Sequence, residues 1–215
     1  MYPLRMTRSL AVVVGVAALA FPSAASAASL TVSPQKRCYG SGESVNLLGT
    51  GFTPFSTSTV TRGGLAFPPL ATDENGAFNG ELTLRVDRGR ETRTYTATDD
   101  TDSSITASAQ ITVSSVLVGL RPASGPPGRR LTITAQGFTT GPTLWVHVVR
   151  GKSRRNIKLG RVKSACGELK TRRRLLPRNA PVGVYTLQFD TFRRYDGREK
   201  NRPVRDRYTI TVTRF

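Results

Sequence analysis

The stretch Gly42-Glu43-Ser44-Val45-Asn46-Leu47, followed by the pair Gly51-Phe52, has a counterpart of the same pattern later in the sequence. The second copy runs Gly128-Arg129-Arg130-Leu131-Thr132-Ile133 and reaches Gly137-Phe138 at the same spacing. In each copy a glycine turn leads into residues that alternate between apolar and polar, which is the pattern of a half-buried β-strand. The glycine of each Gly-Phe pair allows a bulge or tight bend, and the phenylalanine is predicted to fill the bottom of a core.

The likeness between the two halves continues beyond this first strand. Asn75-Gly76 is a strong hairpin signal because both residues tolerate positive φ, and its counterpart in the second half is Cys166-Gly167. Further matching segments are Tyr95-Thr96 with Tyr185-Thr186, and Ile111-Thr112-Val113 with Ile210-Thr211-Val212. Two repeats of about 85 to 100 residues, each with six or seven short strands, have the size of immunoglobulin-like sandwiches.

The first residues have the order of a secretory signal peptide. Arg5 and Arg8 precede an apolar run from Leu10 to Phe21, and Ala25-Ser26-Ala27 matches a cleavage site. The apolar run is too short to cross a bilayer of about 30 Å. The sequence therefore predicts an all-β protein with two tandem immunoglobulin-like β-sandwich domains after an N-terminal signal peptide. The predicted boundaries are 1–27 for the signal peptide, 28–115 for domain 1 and 116–215 for the basic domain 2.

The chain contains two cysteines, Cys38 and Cys166, one in each half. Neither half can therefore form a bridge of its own, and in an oxidising compartment one bridge between the two domains is predicted. Two alternatives remain open at this point: unpaired buried thiols and an intermolecular bridge.

Charge is divided very unevenly between the halves. Residues 29–115 contain seven Lys and Arg against nine Asp and Glu, whereas residues 116–215 contain twenty-three against five. The second half is therefore predicted to prefer anionic surfaces. The predicted anion-binding residues are Arg154, Arg155, Lys158, Arg161, Lys163, Arg172, Arg173, Arg174, Arg193 and Arg194. Within residues 156–163, a phase shift at Gly160 would turn Ile157, Leu159 and Val162 inward.

Residue patterns for common catalytic and metal sites are missing from the sequence. The only histidine, His147, lies in an alternating segment that predicts a position on a half-exposed strand face. One histidine and two separated cysteines cannot form a zinc or copper site of usual ligand number. No catalytic residue, metal site or cofactor is predicted. The segment Asp99-Asp100-Thr101-Asp102 leaves two alternatives open, a calcium loop or a polar hairpin with capping carboxylates.

The glycine turns at Gly42 and Gly128, the two Gly-Phe pairs and the hairpin Asn75-Gly76 with Phe78 carry a resemblance to a known group. The chain resembles the bacterial Ig-like and IPT/TIG-like domains found in tandem in secreted actinobacterial proteins. The resemblance covers essentially the whole mature chain and implies a fold without implying a chemistry. The first domain is also similar, through residues 73–76 and 82–85, to apoproteins that carry enediyne chromophores. Those proteins have two intradomain disulfides, whereas the first domain of this chain contains a single cysteine, Cys38.

These observations predict a non-enzymatic protein that is secreted, extracellular or associated with the cell envelope, with no transmembrane segment in the mature chain. Its basic domain would attach to an anionic cell-wall glycan or another acidic polymer, and non-specific binding to nucleic acid in vitro is expected from the charge alone. The alternative is a small-ligand, chromophore-type carrier that uses a cleft in domain 1 walled by Phe55, Phe67 and Pro68-Pro69. The sequence predicts no oligomeric state.

Overall fold

The computed structural model of the 215-residue chain describes residues 27–122 and 126–197 and the backbone of residues 206–212. Its regular elements there are β-strands, as the turn-rich, alternating sequence predicts. Because the described residues form no helix, none of them belongs to a helix able to cross a membrane. The predicted signal peptide lies outside the described residues except for Ala27.

The first nine strands form two facing sheets, which we call the first sandwich. One sheet has the order β1-β3-β7, and the other has the order β2-β9-β8-β4-β5, with β6 also paired to β4. The short strand β2 pairs with β9 in parallel, and the other pairs are antiparallel. The strands are β1 Ser29–Ser33, β2 Tyr39–Gly40, β3 Ser44–Thr50, β4 Thr57–Arg62, β5 Leu65–Ala66, β6 Leu70–Ala71, β7 Phe78–Thr83, β8 Arg90–Asp99 and β9 Thr106–Ser114.

The next seven strands form the second sandwich, with sheet orders β10-β11-β14 and β13-β12-β15-β16. All of their pairs are antiparallel. The strands are β10 Leu117–Arg121, β11 Arg130–Gln136, β12 Thr143–Arg150, β13 Ser153–Arg161, β14 Leu169–Arg174, β15 Gly183–Asp190 and β16 Asp206–Val212. Numbered within the sandwich, the sheets read 1-2-5 and 4-3-6-7. The first sandwich repeats this order once β2 and β6 are set aside, so both have the two-sheet architecture of an immunoglobulin-like fold.

Each sandwich has its own hydrophobic core between its two sheets. The first core includes Val45, Tyr95 and Ile111, and the second includes Ile133 and Leu187, all of them buried. Along each strand the core residues tend to alternate with residues that face away from the core, because a strand directs successive side chains to opposite faces. The alternation in the repeated motif, Val45 and Leu47 against Leu131 and Ile133, therefore indicated the core-facing side correctly.

A glycine at the equivalent hairpin of each repeat lets the backbone come close to the Gly-Phe pair. Gly76 and Gly167 both have positive φ, and a Cβ on either would collide with a backbone carbonyl, that of Phe52 or that of Phe138. Both phenylalanines are buried, and the Phe52 ring packs against Phe78 at 5.1 Å between centroids. The predicted correspondence of the two hairpins is thus confirmed at the atomic level.

The two sandwiches are joined by the predicted disulfide and by polar contacts beside it. Cys38 and Cys166 are bonded across 128 positions of sequence, which resolves the open alternatives in favour of the interdomain bridge. Arg90 forms an ion pair with Glu168 at 2.9 Å, and Thr139 donates its hydroxyl to Glu43 at 3.3 Å. The first sandwich therefore meets the turn between β13 and β14 at two points, Cys166 and Glu168, and the loop between β11 and β12 at Thr139.

Candidate anion-binding surface

The predicted basic residues are concentrated where two edge strands of the second sandwich lie side by side. β14 is the edge of the three-stranded sheet and β13 is the edge of the four-stranded sheet. The two edges are in contact, and the Arg173 guanidinium donates to the Leu159 carbonyl of β13 at 3.4 Å. We call their exposed cations the basic edge. Its members are Arg154, Arg155, Lys158, Arg161, Lys163, Lys170, Arg172, Arg173 and Arg174.

The β14 part of the basic edge is a row of cations on the outer face of its sheet. Leu169 and Thr171 pair with Ala135 and Ile133, whose side chains are buried in the core. Alternation therefore places Lys170, Arg172 and Arg174 on the opposite face, at a spacing of roughly 6.8 Å from one to the next. All three are exposed.

Arg174 lies directly opposite Arg130 of β11 in the strand register, and both residues are exposed. Like charges in directly opposed positions of an antiparallel pair destabilise the sheet. The register therefore places two positive charges in neighbouring positions on the exposed face of the sheet.

β13 shows the phase shift that the sequence predicted at Gly160. Trp145 of β12 pairs with Lys158, and Leu144 pairs with Gly160, so Leu159 is an extra residue in the ladder. Leu159 is buried, whereas Ile157 and Val162 pack against the core from partly buried positions. Lys158, Arg161 and Lys163 are exposed, as predicted.

The stretch of chain that forms the basic edge contains almost no acidic residues. Residues 150–178 contain twelve Lys and Arg but one acid, Glu168. That carboxylate is already paired with Arg90 of the first sandwich. Residues 150–178 themselves therefore supply almost no negative charge to offset their positive charge.

Arg193 and Arg194 belong to a separate segment, residues 191–197, which we call the covering loop. Both are exposed, and the loop crosses the outer face of the four-stranded sheet. It approaches the basic edge at Tyr195, whose ring lies 5.0 Å from the Arg154 guanidinium. Arg193 and Arg194 therefore lie on the loop that approaches β13, outside the basic edge itself.

His147 is not half-exposed, as the sequence predicted, but completely buried under the covering loop. Its Nε2 lies 3.1 Å from Asp190 Oδ1 and its Nδ1 lies 2.8 Å from Asn156 Oδ1. Tyr195 packs edge-on against the imidazole at 5.8 Å between ring centroids. Alternation identified the face of β12 correctly, but it carries no information about a loop that folds back over that face.

Asp190 is also buried and holds the covering loop in place. It accepts hydrogen bonds from Gln188 Nε2 at 2.8 Å and from the Phe192 amide at 2.8 Å, in addition to its contact with His147. Sequence reasoning missed this cluster. One available signal was the nearly continuous apolar run from Leu144 to Val149, which is typical of a strand covered on both faces.

Folding shifts the pKa values of His147 and Asp190 in opposite directions. Burial would lower the pKa of His147, but the hydrogen bonds with Asp190 and Asn156 outweigh it, and the pKa is raised above its usual 6.5. Burial would raise the pKa of Asp190, but hydrogen bonds from His147, Gln188 and the Phe192 amide lower it below its usual 3.8. Both ring nitrogens of His147 face acceptors, an arrangement that a doubly protonated imidazolium satisfies.

In the loop from Asp99 to Asp102, the carboxylates of Asp99 and Asp102 accept hydrogen bonds from nearby backbone amides. Asp99 accepts backbone N–H bonds from Thr53, Thr101 and Asp102, at 2.7, 2.8 and 3.1 Å. Asp102 accepts two bonds from Ser104. Of the two alternatives for this segment, the geometry corresponds to the polar hairpin with capping carboxylates.

The walls suggested for a cleft in domain 1 are not brought together. Phe67 and Pro68 line a cavity of about 160 Å³, small beside the roughly 300–1,000 Å³ of typical ligand sites. Phe55 is 81% exposed and does not line it. Phe67 instead packs near Tyr95, with 6.1 Å between ring centroids.

No family model matches the sequence, and no curated protein matches it. Solved structures show remote likeness to it. The adhesin InvE of Yersinia pseudotuberculosis is 12% identical, with 86% of this chain and 58% of that chain covered and a TM-score of 0.34. A Corynebacterium diphtheriae protein described as membrane anchored is 10% identical, with coverages of 86% and 57% and a TM-score of 0.35. A red sea bream transglutaminase is 13% identical, with coverages of 86% and 31% and a TM-score of 0.32.

This chain therefore spans at most 58% of each of those three proteins. Likeness at this level assigns no function. The immunoglobulin-like architecture rests on the strand orders and the two separate cores of the chain itself.

Proposed function

We propose that this protein is a non-enzymatic binding protein of the cell envelope or extracellular space, which attaches to an anionic polymer through the basic edge of its second sandwich. The boundary between its two domains falls between residues 115 and 116, and it separates a near-neutral first domain from a basic second domain. The polymer class is an acidic cell-wall glycan, and non-specific binding to nucleic acid in vitro would follow from the same charge.

One observation carries the proposal: two neighbouring edge strands and the turn between them present nine exposed cations, while the one acid in residues 150–178 is paired elsewhere. Such a surface attracts polyanions over several ångströms at low salt and loses this attraction as salt screens it. The opposed Arg130 and Arg174 add support, because a merely solvated surface gains nothing from placing two arginines opposite each other in the strand register.

Secretion is proposed from the order of residues 1–27 and from the disulfide, which forms and persists in oxidising compartments. We assign the two sandwiches to the group of IPT/TIG-like domains of secreted actinobacterial proteins. The support is the pair of Gly-Phe motifs and the equivalent hairpin glycines that approach them.

The test measures retention of the mature chain, residues 28–215, on purified bacterial cell wall over a salt series. The edge variant combines Lys170→Gln, Arg172→Gln and Arg174→Gln. The matched control combines Arg37→Gln, Arg85→Gln and Arg88→Gln, which are exposed residues of the first sandwich and change the net charge equally. We expect the edge variant to bind at least tenfold more weakly at low salt and the control to bind nearly as wild type.

Walls stripped of their anionic glycan should retain neither the wild type nor the control. Equal losses in the edge variant and the control would show that net charge alone governs retention, and the proposed site would be wrong. Full retention of all three proteins at high salt would contradict electrostatic attachment itself.

A further inference from the structure

A cleft opens between the two sheets of the second sandwich, at the end away from Cys166. It has a volume of about 480 Å³, within the range of small-molecule sites. It lies where β12 ends, where β13 begins and where the chain leaves β14. Its walls are mainly apolar and include Val148, Leu175, Leu176, Pro177, Ala180 and Tyr185.

The polar groups that build the walls are mostly engaged with one another. The Tyr185 hydroxyl donates to the Pro181 carbonyl at 2.8 Å, so this residue offers its ring to the cleft. The Arg150 guanidinium donates to the Val182 carbonyl at 2.9 Å and lies 5.5 Å from the Tyr185 ring. These contacts fix the shape of the cleft before any ligand arrives, which lowers the ordering cost of binding.

Arg155 occupies a position that packing does not explain. It pairs in register with Val148, whose side chain is buried in the core, so alternation directs Arg155 to the same core-facing side. It lines the mouth of the cleft and remains exposed. Within the described residues its guanidinium has no hydrogen bond or ion pair, and the cleft lining contains no acid.

We infer that this cleft binds a small amphipathic anion, with the apolar chain between the walls and the carboxylate or sulfonate on Arg155. An apolar cavity favours an apolar body by burial, and a guanidinium at its mouth favours an anionic head through charge-assisted hydrogen bonds. A cationic amphiphile would be repelled by Arg155. The cleft shares Arg155 with the basic edge, but its apolar walls are not part of that edge, so binding of the amphiphile does not depend on polymer attachment.

The experiment titrates the ¹⁵N-labelled mature chain with decanoate and follows amide chemical shifts. Arg155→Gln removes the proposed partner of the head group. The neighbouring Arg154→Gln is the matched control, because Arg154 projects from the opposite face of the same strand, toward Tyr195. Pro177→Trp places a bulky ring at an exposed position of the lining and narrows the cleft.

We expect decanoate to shift amides of the cleft lining, with about tenfold weaker affinity in Arg155→Gln and an affinity within twofold of wild type in Arg154→Gln. Pro177→Trp should abolish binding while the amides of the first sandwich remain unchanged, which shows that the protein is folded. Decan-1-ol should bind more weakly than decanoate, and decyltrimethylammonium should not bind.

Equal losses in Arg155→Gln and Arg154→Gln would overturn the inference, because they would indicate attraction by net charge. Decan-1-ol binding as tightly as decanoate would also overturn it, as would shifts located outside the cleft. Wall retention in the same variants distinguishes this site from the proposed attachment: a Pro177→Trp protein should still be retained on cell wall.

Discussion

At the scale of single residues, the His147–Asp190 pair makes stability depend on pH. The pKa of His147 is raised by folding, so its contribution is complete below pH 6.5 and is lost as pH rises through the raised value. The pKa of Asp190 is lowered, so its contribution is present above pH 3.8 and is lost as pH falls through the lowered value. We expect His147→Gln to cost about 3 kcal/mol of unfolding free energy between these limits, measured by denaturant unfolding.

The difference in unfolding free energy between the wild type and His147→Gln should become smaller as pH rises above 6.5. His147 is the only histidine in the chain, so it accounts for imidazole titration without ambiguity. Asp190→Asn is the matched control and should also flatten the pH dependence of stability, because it removes the acceptor that favours the charged ring. A His147→Gln protein with the pH profile of the wild type would contradict this assignment.

The burial of His147 also marks the limit of sequence reasoning at this scale. The alternation of β12 shows that His147 faces away from the core of the sandwich, and this is correct. Its burial depends on Tyr195, forty-eight positions later in the sequence, whose ring closes over it. A contact of that kind is set by the path of a loop, and periodicity in one strand does not encode it.

At the scale of strands, the register of β11 and β14 places two positive charges opposite each other, which lowers the stability of the sheet. Arg174→Glu replaces a repulsive pair with an attractive one opposite Arg130, so we expect the unfolding free energy to rise by a few tenths of a kcal/mol. The gain should shrink with added salt, because the groups are exposed. Thermal unfolding over a salt series measures it.

Lys170→Glu is the matched control, since it makes the same charge change on the same face but lies opposite Thr134. Both variants should be retained more weakly on cell wall. Only Arg174→Glu should be more stable than the wild type, because only it removes the repulsion between Arg174 and Arg130. Equal stabilisation in the two variants would show that overall charge, and not the register, governs the effect.

Sequence patterns predicted much within these strands but not their arrangement. The phase shift at Gly160 could be predicted because an apolar pattern that slips by one residue signals a bulge. The adjacency of β13 and β14 could not, because they belong to different sheets and no hydrogen-bonded register links them. The cleft beyond their ends was missed for the same reason.

At the scale of the whole molecule, the disulfide couples two sandwiches that have separate cores. Replacing Cys38 and Cys166 by serine should lower stability by about 4–5 kcal/mol in the chain-entropy account of a bridge over a long loop. Because the remaining contacts are few, we also expect the unfolding of the two sandwiches to separate into two calorimetric transitions.

Arg90→Ala is the matched control, because it removes an exposed ion pair at the same junction and should cost no more than about 1 kcal/mol. If Arg90→Ala lowered stability as much as loss of the disulfide, polar contacts would be the main coupling. The bridge itself was predictable from one cysteine in each repeat, but the contacts that surround it, Glu43 with Thr139 and Arg90 with Glu168, were not.

The same bridge changes what a protease can do to this protein. The chain between Cys38 and Cys166 is a covalently closed loop that contains most of the first sandwich and strands β10 to β13 of the second. A single cleavage anywhere within that loop, including the exposed turns where proteases act most readily, releases neither sandwich. The nicked molecule stays in one piece, and a nicked first domain remains attached to the basic edge of its partner domain.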